Sequence, residues 1–402
     1  MNTIGIPENI VFCRRCVISN QRPSSTVEFV SSATSKKRAI AFDVNQICEA
    51  CRYHALKTNS IDWDGREKEL VALSDKIRRD RTTSPGYDIV VPGSGGKDSA
   101  YTAHILKYRF GLNPLTVTWA PHLYTEIGWK NFVNWSHVGG LDNLLFTPNG
   151  KLHRLLTRLA FVNLLHPFQP FIVGQRIIGP RIAAKFGIKH VFYGENQAEY
   201  GNSIEENNSP LMQEKFFSLD DNSNLKLGGV SVDEIMRMGS FNIDDFTPYI
   251  PLSRQESAPI EVHYLGYYLR WDPQECFYYA FENTGFRPNE ERTQGSYSKY
   301  SSIDDKIDPF HYYTTLIKFG LGRASYDAAQ EIRNGKITRE EGISLVKKFD
   351  LEFPNKYFEE FLEYIGISEE EFQQKLNDFR PKHLWDFKDS RWNLKKPIWL
   401  SE

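Results

Sequence analysis

Apolar positions along the chain recur at two different periods, and the change between them divides it. Over residues 62–81, Leu70, Leu73 and Ile77 fall at helical spacing among charged residues, which predicts an amphipathic helix. Ser84, Pro85 and Gly86 then break the pattern. From residue 87 onward, short β-rich runs alternate with helical stretches. Strands are expected at 87–91, 115–119, 144–146 and 190–193, with a break at Pro121. Helices are expected over 100–108, closed by Gly111, over 151–165 with Leu152, Leu155, Leu156 and Leu159 on the apolar face, and over 179–186. Such alternation predicts an α/β fold with a doubly wound parallel sheet. Residues 195–232 turn polar, with Asn207-Asn208-Ser209-Pro210 and a second polar run at 220–224, and predict a mobile insertion. The remainder reads as helical: Thr338 with Glu341 after the Asn334-Gly335 turn, and Ser368 with Glu371, have capping-box spacing. Three parts are therefore expected, at 1–83, 84–235 and 236–402.

Composition narrows the class. A chain of 402 residues exceeds one ordinary core, since domains usually run to roughly 100–200 residues. With 40% hydrophobic and 25% charged residues it is an ordinary globular chain rather than a disordered one, and 14% aromatic is high. A formal net charge of −2 excludes a global positive field drawing it to nucleic acid or to an anionic membrane. Its first residues lack the basic start and apolar run of a signal peptide, and no apolar stretch of about 18 residues follows, so a cytoplasmic protein is expected.

Five cysteines in a reducing compartment point to metal rather than to disulfides. Cys13-Arg14-Arg15-Cys16 and Cys48-Glu49-Ala50-Cys51 are two CxxC pairs, enough thiolates to close a tetrahedral Zn²⁺ site with no position left for water. The module at 1–83 is thus expected to be zinc-ribbon-like and its metal structural, with Arg14, Arg15 and Arg52 offsetting the charge. An iron–sulfur cluster and four free buried thiols are the competing readings. Cys276 stands alone and reads as a small core residue.

Residues 90–99, Val-Val-Pro-Gly-Ser-Gly-Gly-Lys-Asp-Ser, follow a strand and open a helix. Glycines there let the backbone turn sharply and approach an anion, while the first free N–H groups of the helix point at phosphate. Ser94, Gly95, Gly96, Lys97, Asp98 and Ser99 spell the SGGxDS motif, and the segment resembles the PP-loop of the ATP pyrophosphatase superfamily. A Walker A loop would need Ser or Thr directly after the lysine, where Asp98 stands. The resemblance implies a PP-loop type of sheet, cleavage of ATP to AMP and pyrophosphate, and transfer of AMP to a substrate oxygen. Lys97 would neutralise charge, and Asp98 would orient the loop or approach Mg²⁺. Because ligands sit beyond the carboxyl ends of parallel strands, Thr118 and Trp119, and Gly194, Glu195 and Asn196, are further nucleotide-binding candidates.

Taken whole, the chain is similar to the N-acetyl sugar amidotransferases of surface-polysaccharide and lipopolysaccharide biosynthesis. The similarity runs through CRRCVIS, ICEACRYH, IDWDGREKEL, PGSGGKDS, HYLGYYLRWD, FGLGRAS and IRNGKITREE. It implies adenylylation of the acetamido oxygen of an N-acetylated sugar, free or nucleotide-linked, followed by its replacement by ammonia to give an acetamidino group. No glutaminase signature is present, and the resemblance implies that a separate glutaminase with a cyclase-like partner, similar to the pair from histidine biosynthesis, supplies ammonia. Tyr264, Tyr267, Tyr268 and Trp271 could stack on a sugar or base, or simply pack. Lys306 and Arg323, from a polar stretch that includes Asp304, Asp305 and Lys318, are candidates to close over the triphosphate. Two other functions fit the same motifs: a tRNA-modifying enzyme of the thiolation type, and a non-catalytic ATP-binding subunit.

Overall fold

The computed structural model describes residues 5–81, 86–239 and 241–401; the expected break at Ser84 and Pro85 lies outside them, as does the boundary at 83/84. The N-terminal segment leads into helices α1 (Glu49–Asn59) and α2 (Trp63–Asp80). Asp62 caps α2 by accepting from the Gly65 N–H, and Leu70 and Ile77 are buried as the spacing predicts.

Then follow β1 (Ile89–Pro92), α3 (Lys97–Tyr108), β2 (Pro114–Trp119), α4 (Glu126–His137), β3 (Asp142–Phe146), α5 (Gly150–Leu164), α6 (Gln169–Phe186) and β4 (His190–Tyr193). A small hairpin of β5 (Lys226–Leu227) and β6 (Val230–Ser231) precedes the short helices α7 (Val232–Met238) and α8 (Arg254–Ser257). Strand β7 (Glu261–Tyr264) comes next, with α9 (Leu265–Tyr268) and α10 (Pro273–Asn283). Helices α11 (Asp308–Phe319), α12 (Arg323–Arg333), α13 (Arg339–Phe349), α14 (Phe358–Ile365) and α15 (Glu369–Phe379) and a hairpin, β8 (Trp385–Lys388) with β9 (Arg391–Leu394), complete the described chain.

Among the described residues the main sheet has five parallel strands in the order β3-β2-β1-β4-β7. Both faces are covered. Side chains alternate along β1, so Ile89 and Val91 join the core with Ala100, Ala103 and Leu106 of α3, while Val90 joins Leu152, Leu156, Ile177 and Ile178 of α5 and α6. That double burial explains the unbroken apolar run of β1, and β2 is likewise buried at every position, with Thr116 and Thr118 among its apolar residues. Among the described residues, no helix is long and apolar enough to cross a membrane.

Several expectations change. Helix α6 begins at Gln169, ten residues before the expected start, because Pro180 lies inside the helix rather than at its head. A mid-helix proline costs about 3 kcal/mol, offset here by burial of Phe171, Val173, Ile177 and Ile178. Helix α4 was not expected at all. The fifth strand, β7, lies beyond residue 235, so the sheet draws on the part read as mainly helical; its short, partly polar sequence Glu-Val-His-Tyr hides the strand. Residues 195–232 are polar outside yet packed within: Asn202 Oδ1 accepts from the Ser25 N–H at 2.7 Å, and Phe217, Leu225 and Leu227 join the main core. Thr338 and Glu341 form the full capping box, whereas for the second the structure shows the Ser368 half, accepting from the Glu371 N–H.

Candidate nucleotide site and cysteine cluster

Strand β1 is flanked by β2 on one side and β4 on the other, so the chain reverses its direction of travel across the sheet there. A crevice opens beyond the carboxyl ends at such a switch point, the usual place for a ligand in an open parallel sheet. The loop after β1 and Glu195 after β4 occupy it, and with residues 300–308 and the inner faces of α11 and α12 they line a cavity of about 310 Å³.

Loop shape follows from glycine. Gly95 has φ +78°, and a Cβ there would come within 2.9 Å of the Asn131 carbonyl oxygen and the Phe132 Cα on α4. Gly96 is the N-cap of α3, so the N–H groups of Lys97, Asp98 and Ser99 have no acceptor within the helix. Ser94, Gly96, Lys97 and Asp98 line the cavity, whereas Gly95 and Ser99 hold the loop: the Ser99 hydroxyl donates to the Gly96 carbonyl at 3.1 Å.

Charge is concentrated on this cavity. Lys97 is buried with Nζ 2.5 Å from Asp98 Oδ2; burial opposes its charge, but Asp98 and Glu195 outweigh that and raise its pKa. Glu195 lines the cavity, and burial, then Asp98, push its carboxyl up to about 8 against the pull of Lys97. Burial raises Asp304, with the Ser94 hydroxyl acting against it, and raises Asp308 to about 7, with Arg323 acting against it. Asp98 Oδ1 and Asp308 Oδ2 are buried without a hydrogen-bond partner. Asp305, by contrast, is fully engaged, accepting from the His122 N–H and Nδ1 at 2.7 Å each and from the Ile307 N–H at 2.9 Å. Arg323 lies 3.0 Å from Asp327 and over the Tyr312 ring at 4.3 Å.

Other expected residues sit elsewhere. Thr118 and Trp119 are buried in a central strand: Thr118 accepts from Asn143 at 3.0 Å, and the Trp119 indole fills the space over Gly174, where a Cβ would come within 2.3 Å. Asn196 is buried and caps its own turn, accepting from the Ala198 N–H, and Gly194 packs on Trp271. Tyr264, Tyr268 and Trp271 are core side chains, and Tyr267 lies beneath the Arg66 guanidinium at 3.9 Å. None of these residues reaches the cavity. Lys306 points outward to Glu360, 3.5 Å away, and Lys318 is buried, donating to the Leu164 carbonyl.

Sequence reading missed Arg22, Asp308, Tyr326, Asp327, Gln330 and Arg333 on the cavity wall. A signal existed for two of them: Asp327 and Gln330 follow the candidate Arg323 at i+4 and i+7 and so share its face of α12. Arg22 comes from the N-terminal segment and stacks on Tyr326 at 4.6 Å, a contact that no local pattern announces.

The four cysteines Cys13, Cys16, Cys48 and Cys51 converge with all four side chains buried and their sulfurs within 4.8 Å of one another. Cys13 to Cys51 is 3.8 Å and Cys16 to Cys48 is 3.7 Å between sulfurs. A tetrahedron with metal–sulfur arms of about 2.3 Å has edges of about 3.8 Å, so the four fit a closed zinc site. Arg14, Arg15 and Arg52 are exposed; the arginines that approach instead are Arg339, donating to the Cys13 and Cys16 carbonyls, and buried Arg333. Cys276, on α10, is buried in the core shared with α3, and burial raises its pKa well above the usual thiol value, which leaves it neutral.

Comparison with known proteins adds one assignment. Residues 294–398 match the family described as LPS biosynthesis protein WbpG-like, C-terminal domain. That stretch carries half of the cavity, including Asp304, Asp308, Arg323 and Arg333. No curated protein matches the chain. Solved structures with local similarity include the NH3-dependent NAD synthetase of Campylobacter jejuni in complex with the nitrate ion (15% identity, TM-score 0.28, covering 35% of this chain and 59% of that one). Others are the NMN synthetase of Francisella tularensis (13%, TM-score 0.32, 75% and 96%) and the U34-tRNA thiolase NcsA of Methanococcus maripaludis with its 4Fe-4S cluster (14%, TM-score 0.29, 85% and 90%). Similarity this shallow leaves the chemistry to be argued from the chain's own residues.

Proposed function

We propose that the chain is an ATP-dependent amidotransferase that adenylylates the acetamido oxygen of an N-acetylated sugar and replaces that oxygen with ammonia. The observation that supports this most directly is the shared cavity, in which the phosphate-type loop of β1 and α3 faces the region matching a lipopolysaccharide-biosynthesis family.

An amide oxygen is a poor leaving group because resonance strengthens its bond to carbon. Its attack on the α-phosphorus of ATP forms the O–P bond and releases pyrophosphate. Attack of ammonia on the activated carbon, loss of two protons and departure of AMP then give the neutral amidine, so the acetamide oxygen leaves in AMP. The N–H groups at the head of α3 and the Lys97 ammonium would hold the outer phosphates, where charge accumulates. Arg323, Arg333 and Arg22 supply positive charge on the opposite wall. Glu195, once ionised, can take a proton as ammonia adds, and its raised proton affinity suits it to hold that proton.

Oxygen ligands suit Mg²⁺, and the unpartnered Asp98 Oδ1, with Glu195 and Asp304 nearby, fits it. Bound there, the ion would neutralise phosphate charge. The cysteine cluster would hold Zn²⁺ as a structural ion, stabilising the segment that carries Arg22. We place the enzyme in the cytoplasm, with a separate glutaminase and cyclase-like partner as its ammonia source.

Incubation of acetamido sugars and their nucleotide conjugates with ATP, Mg²⁺ and ammonium, followed by mass spectrometry, tests the reaction. Exchange of one oxygen for NH in a sugar product is expected, and glutamine should replace ammonium once the partner proteins are added. ATP binding with no conversion of any acetamido sugar would contradict the proposal.

A further inference from the structure

A second cluster of ligating side chains lies at the opposite end of the sheet from the nucleotide cavity. His190 opens β4 and pairs in register with Glu261, which opens the edge strand β7; His263 follows two residues later and shares the face of Glu261. His190 Nδ1 is 3.2 Å from His263 Nε2, and Glu261 Oε2 is 3.4 Å from each of these nitrogens.

These spacings discriminate between two explanations. A carboxylate that merely hydrogen-bonds an imidazole approaches to about 2.7–3.2 Å, and Glu261 makes neither approach. Ligands of a tetrahedral ion with arms of about 2.0–2.1 Å stand about 3.3–3.4 Å apart, which describes both edges from Glu261, and the 3.2 Å edge between the two histidines is only slightly shorter. His263 Nδ1 lies 3.0 Å from the Tyr268 hydroxyl. In the tautomer that leaves Nε2 free for a metal, Nδ1 carries the proton and donates to that oxygen, the outer-shell partner that ligating histidines usually have. His263 is buried, Glu261 is half-exposed, and a cavity of about 220 Å³ beside His190 and Glu261 leads in from solvent.

We propose that His190, Glu261 and His263 form a binding site for a divalent transition metal of the zinc class, distinct from the cysteine cluster, with its fourth position open to that cavity. Two histidines and one carboxylate are the donor set that leaves a solvent position on zinc. Spanning β4 and β7, the ion ties the edge strand to the sheet.

The full chain, loaded with Zn²⁺ and dialysed, would be assayed for metal content, and loaded with Co²⁺ for its visible spectrum. Two equivalents are expected in the unaltered protein, one giving the intense thiolate charge-transfer absorption of the cysteine cluster and one giving only weak ligand-field bands. Glu261→Gln and His190→Gln, both at partly exposed positions, should each lose the second equivalent while keeping the thiolate signal. That retained signal also reports that the variants are folded. A single equivalent in the unaltered protein, or a second equivalent that survives both substitutions, would overturn the proposal.

Discussion

At the scale of single residues, the account rests on Lys97, Gly95 and Glu195. Lys97 is the buried cation closest to the phosphate-type loop, held between Asp98 and Glu195. Lys97→Ala is expected to lower kcat by roughly 10²–10³-fold, the usual cost of removing one preorganised charge from a transferring phosphoryl group, with little change in melting temperature. Gly95→Ala should behave differently, because φ +78° alone costs a non-glycine residue about 1–2 kcal/mol and the new Cβ meets α4 backbone at 2.9 Å. Thermal melts and ATP affinity should therefore fall together. Glu195 and Asp308, raised to about 8 and about 7 chiefly by burial, hold protons in the folded protein that the unfolded chain releases near 4.5 and 3.8. Their contribution to stability is complete below those unfolded values and is lost progressively as pH rises from there to the folded values of about 7 and about 8. Melting temperature should accordingly decline over this range, and less steeply in Glu195→Gln than in the unaltered protein.

At the scale of elements, helix α4 is the part whose role is least visible from its own sequence. Gly128 lies in its first turn, and a Cβ there would fall 2.5 Å from the Asp304 Cα and 2.7 Å from its carbonyl oxygen. Gly128→Ala is thus expected to push residues 300–308 off the cavity and to raise the KM for ATP while the protein stays folded, as steady-state kinetics beside circular dichroism would show. Strands β1 to β4 and helices α2, α3 and α5 were legible because each carries its own local pattern of apolar positions and breaks. Helix α6 was half legible, since the penalty at Pro180 is met by tertiary burial that no local rule contains. β7 was not legible, because four residues with two polar side chains become a strand only where the exposed edge of β4 awaits them. The site divides in the same way. The loop residues Ser94 to Ser99 and the four cysteines are local motifs. Arg22 and Arg333 reach the cavity from segments about 300 residues apart in sequence, Thr118 is held inside the sheet by Asn143, and Trp119 and Trp271 went to the core because apolar burial outweighs what an aromatic ring gains at a strand end.

At the scale of the molecule, the cysteine cluster and the nucleotide cavity are mechanically joined. Cys13, Cys16, Cys48 and Cys51 share a core with Ala328, Ala329, Ile343 and Val346 of α12 and α13, and the segment they fold presents Arg22 to the cavity. Cys16→Ser, or treatment with a strong zinc chelator, should therefore lower both melting temperature and ATP turnover, although no cysteine lines the cavity. Thermal melts and turnover measured on the same samples would check the coupling.

The central claim is that the loop from Ser94 to Asp98 grips the outer phosphates of ATP while the bond next to the ribose phosphate is broken. Separating the products formed from ATP labelled at the α-phosphate, in the presence of substrate sugar and ammonium, tests it most directly. The label should appear in AMP with an equal amount of pyrophosphate released; label recovered in ADP with free phosphate would contradict it.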